Sequence, residues 1–269
     1  MRRMVRVELL KLTTVGTLQR FIALTVVLAV FATAGAIASA DFDRPEPVRS
    51  GGNFRVLGEP APAASASNRA DARDVALAWA LVPLIALALG VVAAGVERQH
   101  RTLAASALAV PRRRRLLLAK VLAVLPVAAG LTLLALALNQ AIAIPWLAGQ
   151  DVSTQLSAGT WALLVAGGLL GSLATAVLGV AIGIVFPFPA TAIVVGIGFL
   201  LVIEPAIASR AEDVAQFLPG AAMDALLRGL TATRDQVVLP QGIGAVVLVG
   251  WAALLFAAAA RWLERRDLA

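Results

Sequence analysis

Long apolar runs alternate with polar segments along the chain, and this alternation predicts the fold. Each run holds about twenty residues or more, which at 1.5 Å per helical residue covers the roughly 30 Å hydrocarbon layer of a bilayer. Continuous apolar runs of this length are typical of transmembrane helices. We predict an all-α polytopic membrane protein with six spans: Phe21–Ala40, Val75–Val96, Val121–Ile144, Thr160–Phe186, Ala190–Ser209 and Gly242–Ala260.

The segments outside the spans predict loops and short helices, so the whole chain forms a single transmembrane domain. Residues 41–74 are rich in Pro, Gly, Ala and Ser, which favours an extended loop. Residues 97–120 form an arginine-rich loop, and residues 210–241 are polar with a short helical piece, Ala221–Leu230. The remaining segments are the N-terminal residues 1–19, a short loop Pro145–Ala158, a tight turn Pro187–Pro189 and a tail at 261–269.

Charge predicts the orientation of the spans. The loop at 97–120 carries seven cations and one carboxylate, and cytoplasmic loops of membrane proteins hold an excess of Lys and Arg. Placing this loop inside puts both termini inside. The inner segments then hold fifteen of the 23 cations but only four of the 16 carboxylates. The net charge of +7 therefore reflects topology, and we expect lipid contacts and no nucleic-acid partner.

Composition excludes several kinds of chemistry. Hydrophobic residues make up 60% of the chain and charged residues 14%, against about 25% charged in soluble domains. Cysteine is absent and His100 is the only histidine, so we predict no metal site. No P-loop, G-x-S-x-G or H-E-x-x-H motif occurs, and we predict no catalytic residues. Because only Lys11 and Lys120 are lysines, we expect a GC-rich bacterial genome and a bacterial cell membrane.

The N-terminal segment predicts an interfacial helix on the inner leaflet. Arg6, Glu8 and Lys11 alternate with apolar residues ahead of the first span, a pattern of amphipathic helices that lie in the membrane interface.

Span four carries small residues at strict four-residue steps. Such a ridge lets another backbone approach closely. Packing within one subunit is the favoured interpretation, and a contact between two copies is the alternative. The ridge residues are Gly167, Gly171, Thr175, Gly179 and Gly183.

Span five contains a carboxylate, Glu204, followed directly by Pro205. A charge at the bilayer centre costs about 2.5–3.5 kcal/mol on insertion scales, and Pro205 leaves the carbonyl of Leu201 without its helical partner. Two interpretations stand side by side: a gating or kink position, and a carboxylate that reaches the outer headgroups.

Span three contains two neighbouring amides, Asn139 and Gln140, in its outer third. We expect hydrogen bonds between helices, and the alternative is that they line a cavity.

The arginine-rich loop contains two different patterns. The block Arg112–Arg115 is explained by binding to anionic lipid headgroups. Lipid binding does not explain the alternating charges at the start of the loop, which suit the surface of a protein partner. These residues are Glu97, Arg98, Gln99, His100, Arg101 and Thr102.

Three stretches resemble the permease subunits of type-two ABC exporters in their six-span form. Arg6–Thr13 resembles the elbow helix of that family. Glu97–Thr102, then Ala109–Arg113 and Ala119-Lys120, resemble its inner loop. Glu204 with Phe217–Ala222 resembles its fifth span and outer re-entrant helices.

The resemblance implies a mechanism and partners. Two permease copies, identical or paired with a related chain, pack against two separate ATPase subunits that hold ATP and Mg²⁺, while this chain carries no cofactor. The segment Glu97–Thr102 forms a short coupling helix or coupling segment that sits in a groove of the ATPase. Nucleotide-driven closure pushes this segment and the elbow helix, and switches the bundle between inward and outward access.

The resemblance also places spans two and five around the transport cavity. Their residues are overwhelmingly apolar, which favours export of a hydrophobic or amphipathic compound such as a drug, a lipid or a lipophilic peptide. The expected lining residues are Leu81, Leu84, Ile85, Ile193, Ile197, Phe199 and Leu200.

Three other functions compete with this interpretation. An ion-coupled secondary transporter needs buried acids or broken helices with polar linings, and only Glu204-Pro205 offers either. A membrane enzyme needs a catalytic constellation at bilayer depth, and none is present. A non-transporting anchor or immunity subunit would share the same scaffold, so this alternative stays open.

Overall fold

The part of the chain that the structure describes is mostly helical. In the computed structural model these residues are 2–14, 16–40, 71–99, 113–154, 156–228 and 239–265, and no strand occurs among them. Six of their helices are long and apolar enough to cross a membrane, which confirms the predicted fold class. The spans are span one Thr17–Ser39, span two Val82–Gln99, span three Arg113–Gly149, span four Ala158–Val185, span five Pro189–Ala208 and span six Gln241–Arg265.

Shorter helices complete the bundle. The N-terminal helix is Arg2–Thr14, and a 3₁₀ turn at Ala78–Leu81 leads into span two. Between spans five and six lie a single turn, Glu212–Ala215, and a ten-residue helix, Pro219–Arg228, which we call the far-end helix. Of the predicted loop at 41–74, residues 41–70 lie outside the described residues, and residues 71–74 are helical rather than extended.

Span three is longer than its apolar run alone predicts. The helix begins inside the arginine block and continues through Pro145 into the predicted loop, ending at Gly149. Arginine and leucine favour helices, and long cationic side chains reach water from helix ends. The chain then turns back at Asp151, which has a positive φ of 54°. Hydropathy therefore located the membrane-spanning part of this helix but not its ends.

Spans two and four form the interior of the bundle. In each, 67% of the apolar window is buried, against 17–33% in the other four spans. The other spans surround them and leave an apolar face outward, as expected of helices whose outer face contacts lipid. The position of span four at the centre explains why its small residues are needed.

The small-residue ridge of span four packs within one chain. Gly179 lies so close to span two that a Cβ built on it would be 2.0 Å from the carbonyl oxygen of Leu87. One turn earlier, Thr175 Oγ1 donates a hydrogen bond to the carbonyl of Pro83 at 3.0 Å. At the start of the ridge, Gly167 meets the backbone of the far-end helix instead. The structure thus places the ridge against span two and the far-end helix of the same chain.

The amides of span three bond to neighbouring elements, as expected. Asn139 is fully buried, and its Nδ2 donates to Thr33 Oγ1 of span one at 2.9 Å and to the carbonyl of Val75 at 3.0 Å. Gln140 Nε2 donates to the carbonyl of Ala76 at 2.8 Å, and Gln140 also lines a cavity of about 580 Å³. These bonds fix the chain that enters span two against spans one and three.

Replacing Asn139 with leucine is expected to lower stability by about 1–3 kcal/mol, because it leaves buried oxygens without a donor. Thermal unfolding of the detergent-solubilised protein measures the change. Thr132→Val is the matched control in the same span, since among the described residues the hydroxyl of Thr132 bonds to the carbonyl of Ala128 in its own helix. Equal melting temperatures for the two variants would contradict a role of Asn139 between helices.

Candidate functional site

One end of the bundle gathers the N-terminal helix, the start of span three and the end of span six; we call it the basic end. Glu8 of the N-terminal helix is 8% exposed and Lys120 of span three is 1% exposed. Lys120 Nζ lies 3.1 Å from Glu8 Oε2 and donates to the carbonyl of Ala93 in span two at 3.3 Å. Lys11 Nζ lies 2.9 Å from the other oxygen, Glu8 Oε1. This ion cluster joins three helices.

Burial determines how much each ion pair of this cluster contributes to stability. A surface ion pair contributes between about 0 and 1 kcal/mol, whereas a buried charge that loses its partner costs several kcal/mol. Lys120 and Glu8 are a buried pair of this second kind, whereas the side chain of Lys11 is 45% exposed. Arg6, the third predicted elbow residue, points to the exposed surface. The pair Glu8–Lys120 therefore fixes the position of the N-terminal helix.

A second ion pair closes the basic end at the surface. Arg114 of span three and Glu264 of span six form a two-bond contact, with Arg114 Nη2 lying 3.0 Å from Glu264 Oε2. The side chains of Arg114 and Glu264 are 63% and 38% exposed, so the pair sets the arrangement of helix ends more than it stabilises the fold. It shows that the segments predicted to share one side of the membrane do lie together.

The predicted coupling segment is described only in part. Glu97, Arg98 and Gln99 continue the helix of span two, which ends at Gln99 rather than at the predicted Val96. His100, Arg101 and Thr102, together with the predicted short coupling helix, lie outside the described residues. The first three residues of this segment are therefore part of the same helix as span two, which packs in the bundle core.

At the opposite end, which we call the far end, Glu204 binds the first turn of the far-end helix. Its carboxylate is 5% exposed and accepts the backbone N–H of Gly220 at 2.8 Å and 3.1 Å through its two oxygens. A Cβ on Gly220 would meet one of these oxygens, so a larger residue there would require the Glu204 carboxylate to shift. Carboxylates at helix N-termini are stabilised by the unpaired N–H groups and the helix dipole.

Span five is irregular directly before Glu204. The five residues Phe199–Ile203 form a π-helical turn, in which Glu204 N–H donates to the carbonyl of Phe199. Such turns occur where a helix absorbs an irregularity, and Pro205 supplies one because it lacks an N–H. Glu204 is enclosed by protein here and does not extend toward a surface. Glu204 therefore directly follows an irregular turn of span five and bonds to the far-end helix.

Two side chains of span six hold the far-end helix alongside that span. Gln241 Nε2 donates to the carbonyls of Leu226 at 2.9 Å and Leu163 at 2.8 Å. Trp251 Nε1 donates to the carbonyl of Phe217 at 2.8 Å. Trp251 lies about 15 Å further along span six than Gln241, at 1.5 Å per residue. The far-end helix therefore begins beside the middle of span six and runs back toward its start.

A cavity of about 390 Å³ lies between span two, span five and the far-end helix. Three of the predicted lining residues, Leu81, Leu84 and Leu200, are in its wall. Ile85 is 3% exposed and packs in the bundle core with residues of spans three and four, and it is not among the residues that line this cavity. The remaining predicted residues pack between spans two and five: Ile193, Ile197 and Phe199.

Sequence reasoning missed both partners of the buried carboxylates. Lys120 stands between apolar residues on either side, and Glu8 is flanked by Val7 and Leu9. Each is a charged residue among apolar residues and therefore needs a partner. Because the two charges are opposite and lie on the same predicted side of the membrane, the sequence contained a signal for this pair. The bond between Glu204 and Gly220 left no comparable signal, because a backbone N–H is present at almost every residue.

These features define a multi-pass helical membrane protein. At one end of its bundle, an amphipathic N-terminal helix is bound to the two spans that flank a basic loop. A model of the ABC-2 family transporter proteins matches residues 15–268, and the chain belongs to that family. The search of curated proteins gave no match. The chain is therefore a membrane permease of an ABC transporter, and this family works with a separate ATP-binding subunit.

Proposed function

We propose that the chain is the permease of an ABC exporter that moves a hydrophobic or amphipathic compound out of a bacterial cell. The buried pair Glu8–Lys120 carries this proposal, because it fixes the N-terminal helix to the start of span three, with Ala93 of span two as a further partner. Those two spans flank the basic loop. A force on the loop is therefore transmitted to the N-terminal helix through a rigid, buried contact.

We infer the partners from the same geometry. Two ATPase subunits hold ATP and Mg²⁺, and each receives the segment Glu97–Thr102 of one permease copy. The nucleotide state of the ATPases biases the bundle between two arrangements, since only an interaction that differs between two states can shift their populations. Arginine-rich residues beside this segment bind anionic lipid headgroups and hold the basic end at the membrane.

Two further observations support an apolar cargo and a second permease copy. The cavity beside span five has walls of Leu, Ala, Pro and Met side chains, with two carboxylates among them. Span five also presents an exposed apolar face, in which Val194 is 70% and Val202 is 67% exposed. A face of this kind in a membrane contacts lipid or another apolar helix. We assign it to the contact between two permease copies, of the same chain or of a related one.

Charge reversal of the coupling segment is expected to uncouple permease and ATPase. The double variant Glu97→Lys, Arg101→Glu reverses two charges of the proposed contact, and we expect the affinity for the ATPase to fall roughly tenfold or more. The test is co-purification of the permease with the ATPase encoded beside it, followed by ATP hydrolysis in proteoliposomes with and without the permease.

Asp213→Lys is the matched control, since Asp213 is an exposed charge of the far end. It should leave binding and stimulation as in the unchanged protein. Gel filtration confirms that each variant is folded. Unchanged binding together with unchanged stimulation in the double variant would exclude this segment as the coupling site. Binding without any transport of lipophilic compounds into inverted vesicles would favour a non-transporting anchor.

A further inference from the structure

A second cavity lies between the end of span three, the start of span four and the residues that lead into span two; we call it the span-three cavity. Its volume of about 580 Å³ falls within the roughly 300–1,000 Å³ of typical ligand pockets. Leu136 and Leu147 of span three and Val165 of span four form apolar walls. Among the described residues, none lines both this cavity and the cavity beside span five.

The span-three cavity is reached from the bilayer. Ile144 lines it and is 60% exposed on a span whose outward apolar face contacts lipid. From Leu136 to Ala148 the wall follows span three for about 18 Å, at 1.5 Å per residue. Ser153 and Thr154, which follow the end of that helix, also line the cavity. It is therefore elongated, with apolar walls along the span and hydroxyl groups beyond the helix end.

Gln140 places a fixed hydrogen-bond acceptor in this cavity. An amide nitrogen has two hydrogens, and Gln140 Nε2 donates to the carbonyl of Ala76 at 2.8 Å and to Asn139 Oδ1 at 3.0 Å. No described residue donates to the other end of the amide, Gln140 Oε1. Gln140 lies four residues before Ile144, where the apolar run ends, which is about 6 Å inside it. An acceptor at that depth is costly unless a donor reaches it.

The described residues that line the span-three cavity include no Asp, Glu, Lys or Arg. Arg73 is close to one side, where its Nε donates to the backbone carbonyl of Thr154 at 3.3 Å, but it is not among the lining residues. The indole of Trp161, which is also in the wall, combines an apolar ring with one N–H donor. A neutral molecule that both donates and accepts hydrogen bonds matches this set better than an ion.

We propose that the span-three cavity binds a neutral lipophilic molecule that enters from the membrane and donates a hydroxyl or amide hydrogen to Gln140 Oε1. Its apolar chain lies along Leu136 and Val165, and its polar end is near Ser153 and Thr154. A bound molecule of this kind would connect spans three and four. This site is separate from the cavity assigned to the exported compound, and the assignment does not depend on the export function.

Photolabelling of the full chain in phosphatidylcholine nanodiscs tests the assignment, because that lipid has no hydrogen-bond donor in its headgroup. The probe is a monoacylglycerol with a diazirine in its chain, and mass spectrometry locates the labelled peptide. We expect labels in residues 136–148 or 161–165. Unlabelled monododecanoylglycerol should compete roughly five- to tenfold better than its dimethyl ether, which keeps the chain but lacks both donors. Dodecyltrimethylammonium, a cation with the same chain length, should compete least.

Two variants separate the hydrogen bond from the shape of the cavity. Gln140→Met removes the acceptor, so monododecanoylglycerol and its dimethyl ether should then compete equally. Ile144→Trp fills the cavity from its lipid-facing side and should abolish labelling there. Leu133→Trp is the matched control, since Leu133 is 48% exposed on the same span and does not line the cavity. If Gln140→Met fails gel filtration, Ile144→Trp decides the question.

Three results would overturn the assignment: unchanged labelling in folded Ile144→Trp, equal competition by the two glycerol compounds in the unchanged protein, or stronger competition by the cation. Lipid analysis of the purified protein then identifies the source of the ligand. A neutral glyceride that co-purifies with Leu133→Trp but not with Ile144→Trp assigns the cavity to a membrane lipid. Probe binding without such a glyceride assigns it to a compound that partitions into the membrane, and either result supports the proposed chemistry.

Discussion

Replacing Lys120 with methionine is expected to destabilise the protein by about 3–5 kcal/mol, because it leaves the buried carboxylate of Glu8 without its main partner. Methionine has nearly the same length, so packing changes little and the lost charge dominates. Lys120 is 1% exposed and lies 3.1 Å from Glu8. The measurement is the yield and melting temperature of detergent-solubilised protein on fluorescence-detected gel filtration.

Two further variants give this result its meaning. Lys11→Met removes the other lysine beside Glu8. The side chain of Lys11 is 45% exposed, so this change should lower stability much less. Adding Glu8→Gln to Lys120→Met removes both buried charges and should restore much of the lost stability. A double variant as unstable as Lys120→Met alone would show that Lys120 acts through packing rather than through its charge.

Gly179→Ala is expected to separate spans two and four and to cost about 1–3 kcal/mol, the usual range for overpacking a well-packed interface. The added methyl would lie 2.0 Å from the carbonyl oxygen of Leu87 and 3.0 Å from the backbone nitrogen of Val91. Backbone atoms cannot move aside as a flexible side chain can. Melting temperature reports the loss, and ATPase stimulation in proteoliposomes reports its effect on coupling.

Gly130→Ala provides the control for this change. Gly130 lies in span three, and a Cβ there would meet no atom within 4 Å. Alanine is the better helix former by about 1 kcal/mol, so this variant should melt at the same or a higher temperature. If both alanine variants melt together, close contact between spans two and four does not limit the stability of the bundle.

The spans could be predicted from sequence because each depends on a local property. Twenty apolar residues must be helical in a membrane, where every backbone group needs a partner within its own helix. The ends of the helices follow other rules. Span three extends from Arg113 to Gly149 because helical hydrogen bonding continues into water wherever the residues allow it, and hydropathy carries no information about that.

The candidate sites were only partly predictable, because their contacts join distant residues. Glu204 was noticed as a carboxylate in an apolar run, but its partner Gly220 depends on how the chain folds back. Glu8 and Lys120 are 112 positions apart, and no local spacing connects them. Ile85 is a further example, because the sequence does not reveal which residues of span two line the cavity. Packing, and not composition, decides which face of span two meets span five.

The most direct test of the coupling proposal is to determine which side of the membrane the basic loop faces. The chain contains no cysteine, so single substitutions Ser106→Cys in the loop and Ser153→Cys between spans three and four can be labelled in the otherwise unchanged protein. A membrane-impermeant maleimide should label Ser106→Cys in inverted vesicles but not in intact cells, and Ser153→Cys in the opposite pattern. Labelling of Ser106→Cys in intact cells would place the loop beyond reach of any cytoplasmic ATPase and contradict the proposed function.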